Sequence, residues 1–299
     1  MDRFSEMQIF VAVAESEGFA AGARKLKISP PAATRAVADL EYRLGIKLLN
    51  RTTRYVRVTD AGQRYLDDCK RILAQVTEAD EAAIGINAAP RGHLVITAPV
   101  LFGRMYVMPC VVEYLQKYPD TEISAMFVDR VVNMLDEGID VALRVGELSD
   151  SSFKAIKVGT VRRVVCASPA YIEKYGLPQH PNDLSEHQII VASSLSPNVE
   201  WRFLENKQSK IVRVKPRLTV TSNDAAIEAA VEGLGITRLI SYQIAPELQN
   251  GQLKIILSEY EYPALPIHIL HREGRNSSAK VRAFIDLVAE KLKADSSLN

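Results

Sequence analysis

Between Arg24 and Arg57 the chain carries nine basic residues, Arg24, Lys25, Lys27, Arg35, Arg43, Lys47, Arg51, Arg54 and Arg57, against two acidic ones, Asp39 and Glu41. The segment has a net charge of +7, the whole chain of 299 residues only +1, and the remainder −6. Taken whole, the near-neutral balance speaks against a nucleic-acid partner; divided, it reverses. Clustered Lys and Arg neutralise phosphates and release counterions, which is the electrostatic footprint of DNA binding. Hydroxyls from Ser29, Thr34, Thr52 and Thr53 stand among these charges, and such groups bond phosphates or base edges. A solvated basic face on an ordinary helical domain is the competing reading, and the order of elements decides against it.

Phe4, Met7, Phe10, Val11 and Ala14 recur at the steps of an amphipathic helix, which Gly18 breaks. A short helix is expected from Ala20 to Leu26 and a turn at Ile28-Ser29. Ser29 then caps a third helix, with Pro30 in its first turn and Gly45 as its stop. The residues from Ile46 to Val58 suit a two-stranded ribbon. This is a helix–turn–helix followed by a wing. The second helix of such a motif enters the major groove by its N-terminal end, here Ser29, Pro30, Pro31, Ala32, Ala33, Thr34 and Arg35, while Arg51, Thr52, Thr53 and Arg54 of the ribbon would meet backbone or minor groove. A long helix from Thr59 to Asn87 follows. Its Tyr65, Cys69, Ile72, Val76, Ala79, Ala83 and Ile86 form a heptad-like seam, which predicts pairing with a second copy; packing on its own domain is the alternative.

After the Ala-Pro-Arg-Gly stretch at 89–92 the rhythm changes to alternating strands and helices. HLVITAP, TEISAMFV and IDVALRVG read as strands, with helices at Phe102–Tyr118 and Arg130–Glu137 between them. A second set follows, VRRVVCAS, PAYIEKYG, QIIVAS, the hairpin WRFLENKQSKIVRVKP, RLTVTS, DAAIEAAVEG and GITRLI, and LPIHILHRE with AKVRAFIDLVAEKL completes the first set. This is the pattern of α/β units with a largely parallel sheet. Two lobes joined by crossovers near Gly159–Val165 and Pro263–Ile269 would enclose a cleft. No nucleophile elbow, phosphate loop or dinucleotide fingerprint stands in the context it needs. His268 and His271, three apart on a strand, face opposite ways. Cys69, Cys110 and Cys166 are far apart and form no CxxC, so neither a disulfide framework nor a metal site is expected and a reducing cytoplasm fits. The acidic start does not read as a secretory signal, and no apolar run reaches the length of a membrane span. No cofactor, metal or catalytic residue is expected.

The stretch FAAGARKLKISPPAATRAVADLEYRLGIKLLNRTTRYVRVTDAGQRYL resembles the winged helix–turn–helix of LysR-type transcriptional regulators. The resemblance rests on the aromatic before paired Ala, the Ala-x-x-Leu, the Ser-x-Pro-Ala-x-Thr-Arg, Leu40-Glu41, Leu44-Gly45, Leu48, Arg51-Thr52 and Thr59-x-Ala61-Gly62. It extends through DVALRVGELSDSSF, VVCASPAYIEKYGLP, EWRF, AAVEGLGI and VRAFIDLV to nearly the whole chain, in the CrgA-like subgroup. It implies a mixed fold: a mainly α winged helix–turn–helix at 1–58, a linker and dimerisation helix at 59–90, and a two-lobed α/β, periplasmic-binding-protein-like effector domain at 91–299. Lobe 1 is expected at about 91–161 and 268–299, lobe 2 at about 162–267. The implied partners are double-stranded promoter DNA, further copies of the chain as homodimer or tetramer, a small effector and RNA polymerase, with no membrane. Pro30 stands where relatives often carry Gln or another polar residue, which removes one side chain from base readout.

In α/β lobes ligands sit at the carboxyl ends of strands, near helix N-termini. The candidate effector residues are therefore Thr97, Pro99, Phe102 and Gly103 in the first turn, Val128 and Asp129 after the second strand, and Arg144 at the end of the third. The second lobe offers Ser193, Ser194, Trp201, Ser222, Asn223 and Thr237. Relatives often carry Ser or Thr near Pro99, and Thr97 is the substitute. Arg144 could hold an effector carboxylate in a bidentate pair, or pair internally with Glu147 or Asp129. Trp201 is either core or a ligand platform, and Ser222 or Asn223 is either a cap or a contact. The alternatives to a ligand-responsive regulator are an effector-independent architectural DNA-binding protein and an enzyme with a DNA-targeting head.

If the basic segment anchors phosphates, affinity for a palindromic promoter site falls by about 10³-fold or more between roughly 50 and 200 mM salt in a mobility-shift titration. Arg51→Ala weakens all sequences alike, whereas Thr34→Ala changes the preference among them.

Overall fold

The computed structural model describes residues 2–51, 56–84, 89–148, 153–192, 199–272 and 278–298. It divides into two compact units, chiefly Met1–Ala88 and, beyond it, Ala89–Arg275 with Ala279–Asn299. No helix among the described residues is long and apolar enough to cross a membrane.

The N-terminal unit packs α1 (Arg3–Glu15), α2 (Phe19–Lys25) and α3 (Pro30–Leu44) against β1 (Leu49–Arg51), β2 (Val56–Val58) and the start of α4 (Asp60–Ile84). Asp2 caps α1, its carboxylate accepting from the Phe4 and Ser5 N–H groups at 3.0 Å each. Ser29 caps α3 by accepting from the Ala32 N–H at 3.3 Å, Pro30 opens the first turn, and Gly45 closes the helix at φ +67°. Phe10, Val13, Ala33, Ala36, Val37, Leu40 and Leu48 form the core. Beneath them Glu41, almost fully buried, binds the ribbon to α3. Its Oε1 accepts from the Leu48 and Leu49 N–H groups at 2.9 and 3.0 Å, and Lys47 Nζ lies 2.9 Å from Oε2. Thr59 adds a second tie: its hydroxyl donates to the Lys47 carbonyl at 2.9 Å and accepts from the Gly62 N–H, starting α4. That helix does not present a uniform pairing seam. Tyr65 and Cys69 pack on their own unit, Tyr65 5.6 Å from the Phe10 ring. Farther along, Ile72 is exposed and Val76 half-buried. Ala79 and Ala83 have side chains outside the description, and Ile86 lies outside the described residues.

The C-terminal unit contains two five-stranded sheets. The elements run β3 (Gly92–Ala98), α5 (Val100–Phe102), α6 (Met108–Lys117), β4 (Thr121–Phe127), β5 (Val141–Val145), β6 (Phe153–Val161), β7 (Arg163–Ala167), α7 (Pro169–Tyr175) and β8 (Ile189–Ala192). They continue with β9 (Val199–Glu205), β10 (Gln208–Val214), β11 (Pro216–Val220), α8 (Asn223–Val231), β12 (Ile236–Ile240), α9 (Ala245–Gln249), β13 (Lys254–Ile256), β14 (Leu265–Arg272) and α10 (Ala279–Ala294). The first sheet has the order β4-β3-β5-β14-β6, the second β11-β8-β12-β7-β13. The chain therefore passes from the first lobe to the second at Arg162 and returns between β13 and β14. The return strand begins at Leu265, three residues ahead of the expected 268. In each sheet one strand runs against the other four, β14 in the first and β7 in the second. The β9–β10 hairpin turns through Asn206 and Lys207, both at positive φ, and lays Trp201, Phe203, Val212 and Val214 on the second lobe.

Two expected helices differ. The stretch from Phe102 to Tyr118 is interrupted by a π-turn at Gly103–Val107. Pro109 explains it, because a proline lacks the N–H that would continue the ladder and its ring crowds the preceding carbonyl. Arg130–Glu137 is no helix but turn and coil. Asn133 Oδ1 accepts from the Leu135 N–H, and Glu137 accepts from the Asn133 N–H while gripping Arg130 at 2.7 and 2.8 Å. These side chains compete with helical bonds for the backbone, and Val132, Met134 and Ile139 are freed to pack with Ala142 and Leu270.

Glu41→Ala leaves two buried N–H groups without an acceptor. It should cost the N-terminal unit about 2–4 kcal/mol in urea unfolding, with Glu41→Gln costing clearly less because an amide oxygen still accepts. A Cβ on Gly22 would lie 2.7 Å from Val13 Cα. Gly22→Ala therefore forces α2 off α1 and lowers stability by about 1–3 kcal/mol, read in the same assay.

Candidate functional site

The N-terminal unit presents a polar face along α3. Pro31, Thr34, Arg35, Ala38 and Tyr42 are exposed at helical spacing, Tyr42 at 91%. Of the predicted reading residues, Ser29, Pro30, Pro31, Thr34 and Arg35 are exposed and Ala32 half-buried. Ala33 is fully buried in the core and cannot face a groove; its position falls on the inward side of the helix, which an N-terminal list by proximity overlooks. Thr34 donates its hydroxyl proton to the Pro30 carbonyl at 3.0 Å, so toward DNA its oxygen acts as an acceptor. Ala38 and Tyr42 were missed, although the spacing 31, 34, 38, 42 marks them.

The basic cluster is not uniformly available to phosphate. Arg43 is held by Glu6 at 2.8 Å, which raises its pKa, Lys47 by Glu41, and Lys25 by Glu15 at 3.4 Å. Arg24, Lys27 and Arg35 make no ion pair with the described residues. The Arg51 side chain is outside the description, and Thr52, Thr53 and Arg54 lie outside the described residues.

In the C-terminal unit a pocket of about 360 Å³ opens between the lobes. Pro99, Val128, Asp129, Arg144 and Asn223 line it, as the sequence predicts, and a second hollow of about 560 Å³ shares Val128, Asp129 and Asn223 and adds Ser222. Asp129 joins the lobes: its Oδ1 accepts from the Val100 N–H at 3.0 Å and its Oδ2 from Asn223 Nδ2 at 3.1 Å. Ser222 caps α8 by accepting from the Ala225 N–H at 3.3 Å. Arg104 and Asp224, 3.9 Å apart, add an exposed interlobe pair.

Arg144 does not form the internal pair with Glu147 or Asp129. Its Nη1 donates to the Leu143 carbonyl at 2.8 Å, while its buried Nη2 has no partner among the described residues. Burial holds the guanidinium below its ordinary range. Directly across the β5–β14 ladder stands His268, whose buried Nδ1 is likewise unpartnered.

Several predicted residues lie beneath the pocket instead of in it. Thr97 and Thr237 are fully buried, each with a hydroxyl lacking a partner among the described residues. Phe102 is core, its ring 5.0 Å from Tyr106 and 5.3 Å from Tyr242, and it supports the pocket by positioning Tyr242. A Cβ on Gly103 would strike the Phe127 ring, so this glycine serves packing, not ligand approach. Trp201 is buried in the second-lobe core, and the Arg238 guanidinium stacks 5.1 Å over its ring. Its role at the pocket is therefore indirect. Ser193 and Ser194 lie outside the described residues.

The residues that sequence reasoning missed are chiefly Arg130, Arg163 and Arg238, with Tyr242 and Gln243. Arg163 and Arg238 were visible as charges inside the otherwise apolar strands RVVCA and ITRLI. The three thiols are buried, and burial pushes Cys166 up to about 12, which suits packing. Among the described residues no group of three or more His, Cys, Asp or Glu could hold a metal ion.

Comparison with known proteins agrees with both units. The model of the bacterial regulatory helix-turn-helix protein, lysR family, matches residues 4–63, and that of the LysR substrate binding domain matches residues 87–293. An HTH-type transcriptional regulator of Haemophilus influenzae is 33% identical over 281 residues, covering 94% of this chain and 98% of the relative. The HTH-type transcriptional activator AaeR of Escherichia coli is 30% identical, covering 97% and 94%. Among solved structures, the full-length Vibrio cholerae virulence activator AphB superposes with a TM-score of 0.62 at 28% identity, covering 97% of this chain and 99% of that one. CrgA from Neisseria meningitidis gives 0.61 at 28%, covering 98% and 99%. With a helix–turn–helix and wing in one unit, a pocket between two lobes in the other, and both halves matched in order, the chain belongs to the LysR family of ligand-responsive, DNA-binding transcriptional regulators.

Proposed function

We propose that this regulator reads promoter DNA through the exposed face of α3 and the β1–β2 wing, and that it senses a small anionic effector in the pocket between its lobes. The observation that carries the reading is Arg144. A desolvated guanidinium with an unpartnered Nη2 on a pocket wall is costly without a counter-charge, and an effector carboxylate supplies one. Ser29, Pro30, Pro31, Ala32, Thr34 and Arg35 are the proposed reading set, extended to Ala38 and Tyr42, with Arg51, Thr52, Thr53 and Arg54 as wing contacts. Pro99, Val128, Asp129, Arg144, Ser222 and Asn223 are the proposed effector wall.

The protein acts in the cytoplasm as a homodimer, with a tetramer as the larger assembly. The exposed stretch of α4 beyond Cys69 offers Ile72 for pairing. RNA polymerase is the further partner. Effector binding shifts the population between lobe arrangements and through them the geometry of the DNA-bound oligomer. The function uses no cofactor and no catalytic step.

The test is a footprint at the promoter of the divergently transcribed neighbouring gene, with and without a panel of small organic acids. We expect a protected palindrome whose pattern changes with one acid. Arg35→Ala loses the footprint while keeping the acid's thermal shift, and Arg144→Gln does the reverse. A footprint unaffected by every acid, with no thermal shift, favours an effector-independent architectural protein instead.

A further inference from the structure

The wall of the interlobe pocket carries four arginines, Arg130 and Arg144 from the first lobe and Arg163 and Arg238 from the second. Arg130 is spoken for by its two-point grip on Glu137. The other three have no carboxylate partner among the described residues. Arg144, on β5, uses Nη1 on a backbone carbonyl and leaves Nη2 buried and bare. Arg238 pairs with Val165 in the β12–β7 ladder, two residues from Arg163, so both guanidinium stems leave one face of the second sheet as diagonal neighbours. Partial loss of hydration on the pocket wall depresses both, and Arg163 adds its own repulsion to hold Arg238 at about 9. A guanidinium keeps its proton at neutral pH even so, and the pair stands as unneutralised charge. Arg238 is also fixed in place, by the Trp201 ring beneath it and by donation from Nη1 to the Arg202 carbonyl at 3.2 Å.

Asp129 is the one carboxylate among the described lining residues, and its two oxygens are taken by Val100 and Asn223. Asp129 makes no bond to Arg144, so a bare arginine stands on the first lobe and two on the second, and three arginines against one carboxylate leave the pocket a net charge of about +2. A single carboxylate would reach one lobe and leave the other uncompensated.

We infer that the effector is a dianion with two separate acid groups, a small dicarboxylate in its simplest form, one group on Arg144 of the first lobe and the other on the Arg163–Arg238 pair of the second. The inference rests on the reading of this pocket as the effector site and names what that site selects. A pocket of about 360 Å³ accommodates a short linear spacer between the two groups. The second acid group, and not the first, ties the lobes to each other.

The probes are the linear dicarboxylates from succinate to pimelate and the monocarboxylates of equal carbon number, titrated calorimetrically into the full-length protein. The expected result is that at least one dicarboxylate binds tenfold or more tightly than its monocarboxylate. Arg144→Gln and, separately, Arg163→Gln should bring the two to equal affinity while both variants keep their circular dichroism and promoter binding. Arg163 retains solvent exposure, so its replacement does not threaten folding. Equal binding of both series to the native protein overturns the dianion inference and leaves the anionic-effector reading standing. A dicarboxylate preference that survives both substitutions also overturns it, because the second acid is then held elsewhere. Absence of binding by either series at millimolar concentration overturns it together with the reading beneath it.

Discussion

The ligand-sensing half of this protein depends on how its backbone is threaded. The chain leaves the first sheet at Arg162, builds the whole of the second, and comes back as β14 to lie between β5 and β6. Each lobe is therefore closed by a strand that is distant in sequence, and the space between the lobes is spanned by two connections and a few side-chain bonds. The first lobe contributes Asp129 and Arg144 from strand ends, the second Arg163 and Arg238 from two antiparallel neighbours. Two sheets facing one space are what allow four arginines to reach one pocket without any of them being adjacent in sequence.

The DNA-reading half is held on a different principle. There a buried acid does what a larger hydrophobic core would do elsewhere. Glu41 turns its side chain inward from the reading helix and accepts the backbone of the ribbon. The orientation of the wing relative to α3 is thus set by two short hydrogen bonds at low dielectric, where they are stronger than on the surface. Glu6 performs a similar service for Arg43, which removes one basic residue from the phosphate-facing inventory. The +7 of the segment overstates the charge a duplex would meet.

Much of this was legible in the sequence because the signals were local. Ser29, Pro30 and Gly45 mark the ends of α3 through capping chemistry that needs no tertiary partner, and the alternation of apolar strands with helices gave the two-lobed α/β reading. What failed was also specific. Arg130–Glu137 has helical composition, but its Asn and Glu side chains bind the local backbone, and only the tertiary burial of Val132 and Met134 makes that arrangement favourable. Ala33 was placed in the groove by its position in the chain, whereas the direction of its Cβ puts it in the core. Trp201 drew attention as a lone large aromatic, yet its effect reaches the pocket through a cation stacked on it. Arg163 and Arg238 were overlooked because each reads as a minor anomaly within its strand; their meaning comes from the β7–β12 register, which sequence spacing does not contain.

The contact between Asn223 and Asp129 has a further consequence. An amide, not a cation, holds this carboxylate, so the bridge between the lobes forms without cancelling the acid's charge. Asp129 remains a fixed negative point at the rim of a positive cavity. The contact that spans the lobes thus uses none of the cavity's arginines, and Arg144, Arg163 and Arg238 all remain for whatever the cavity holds.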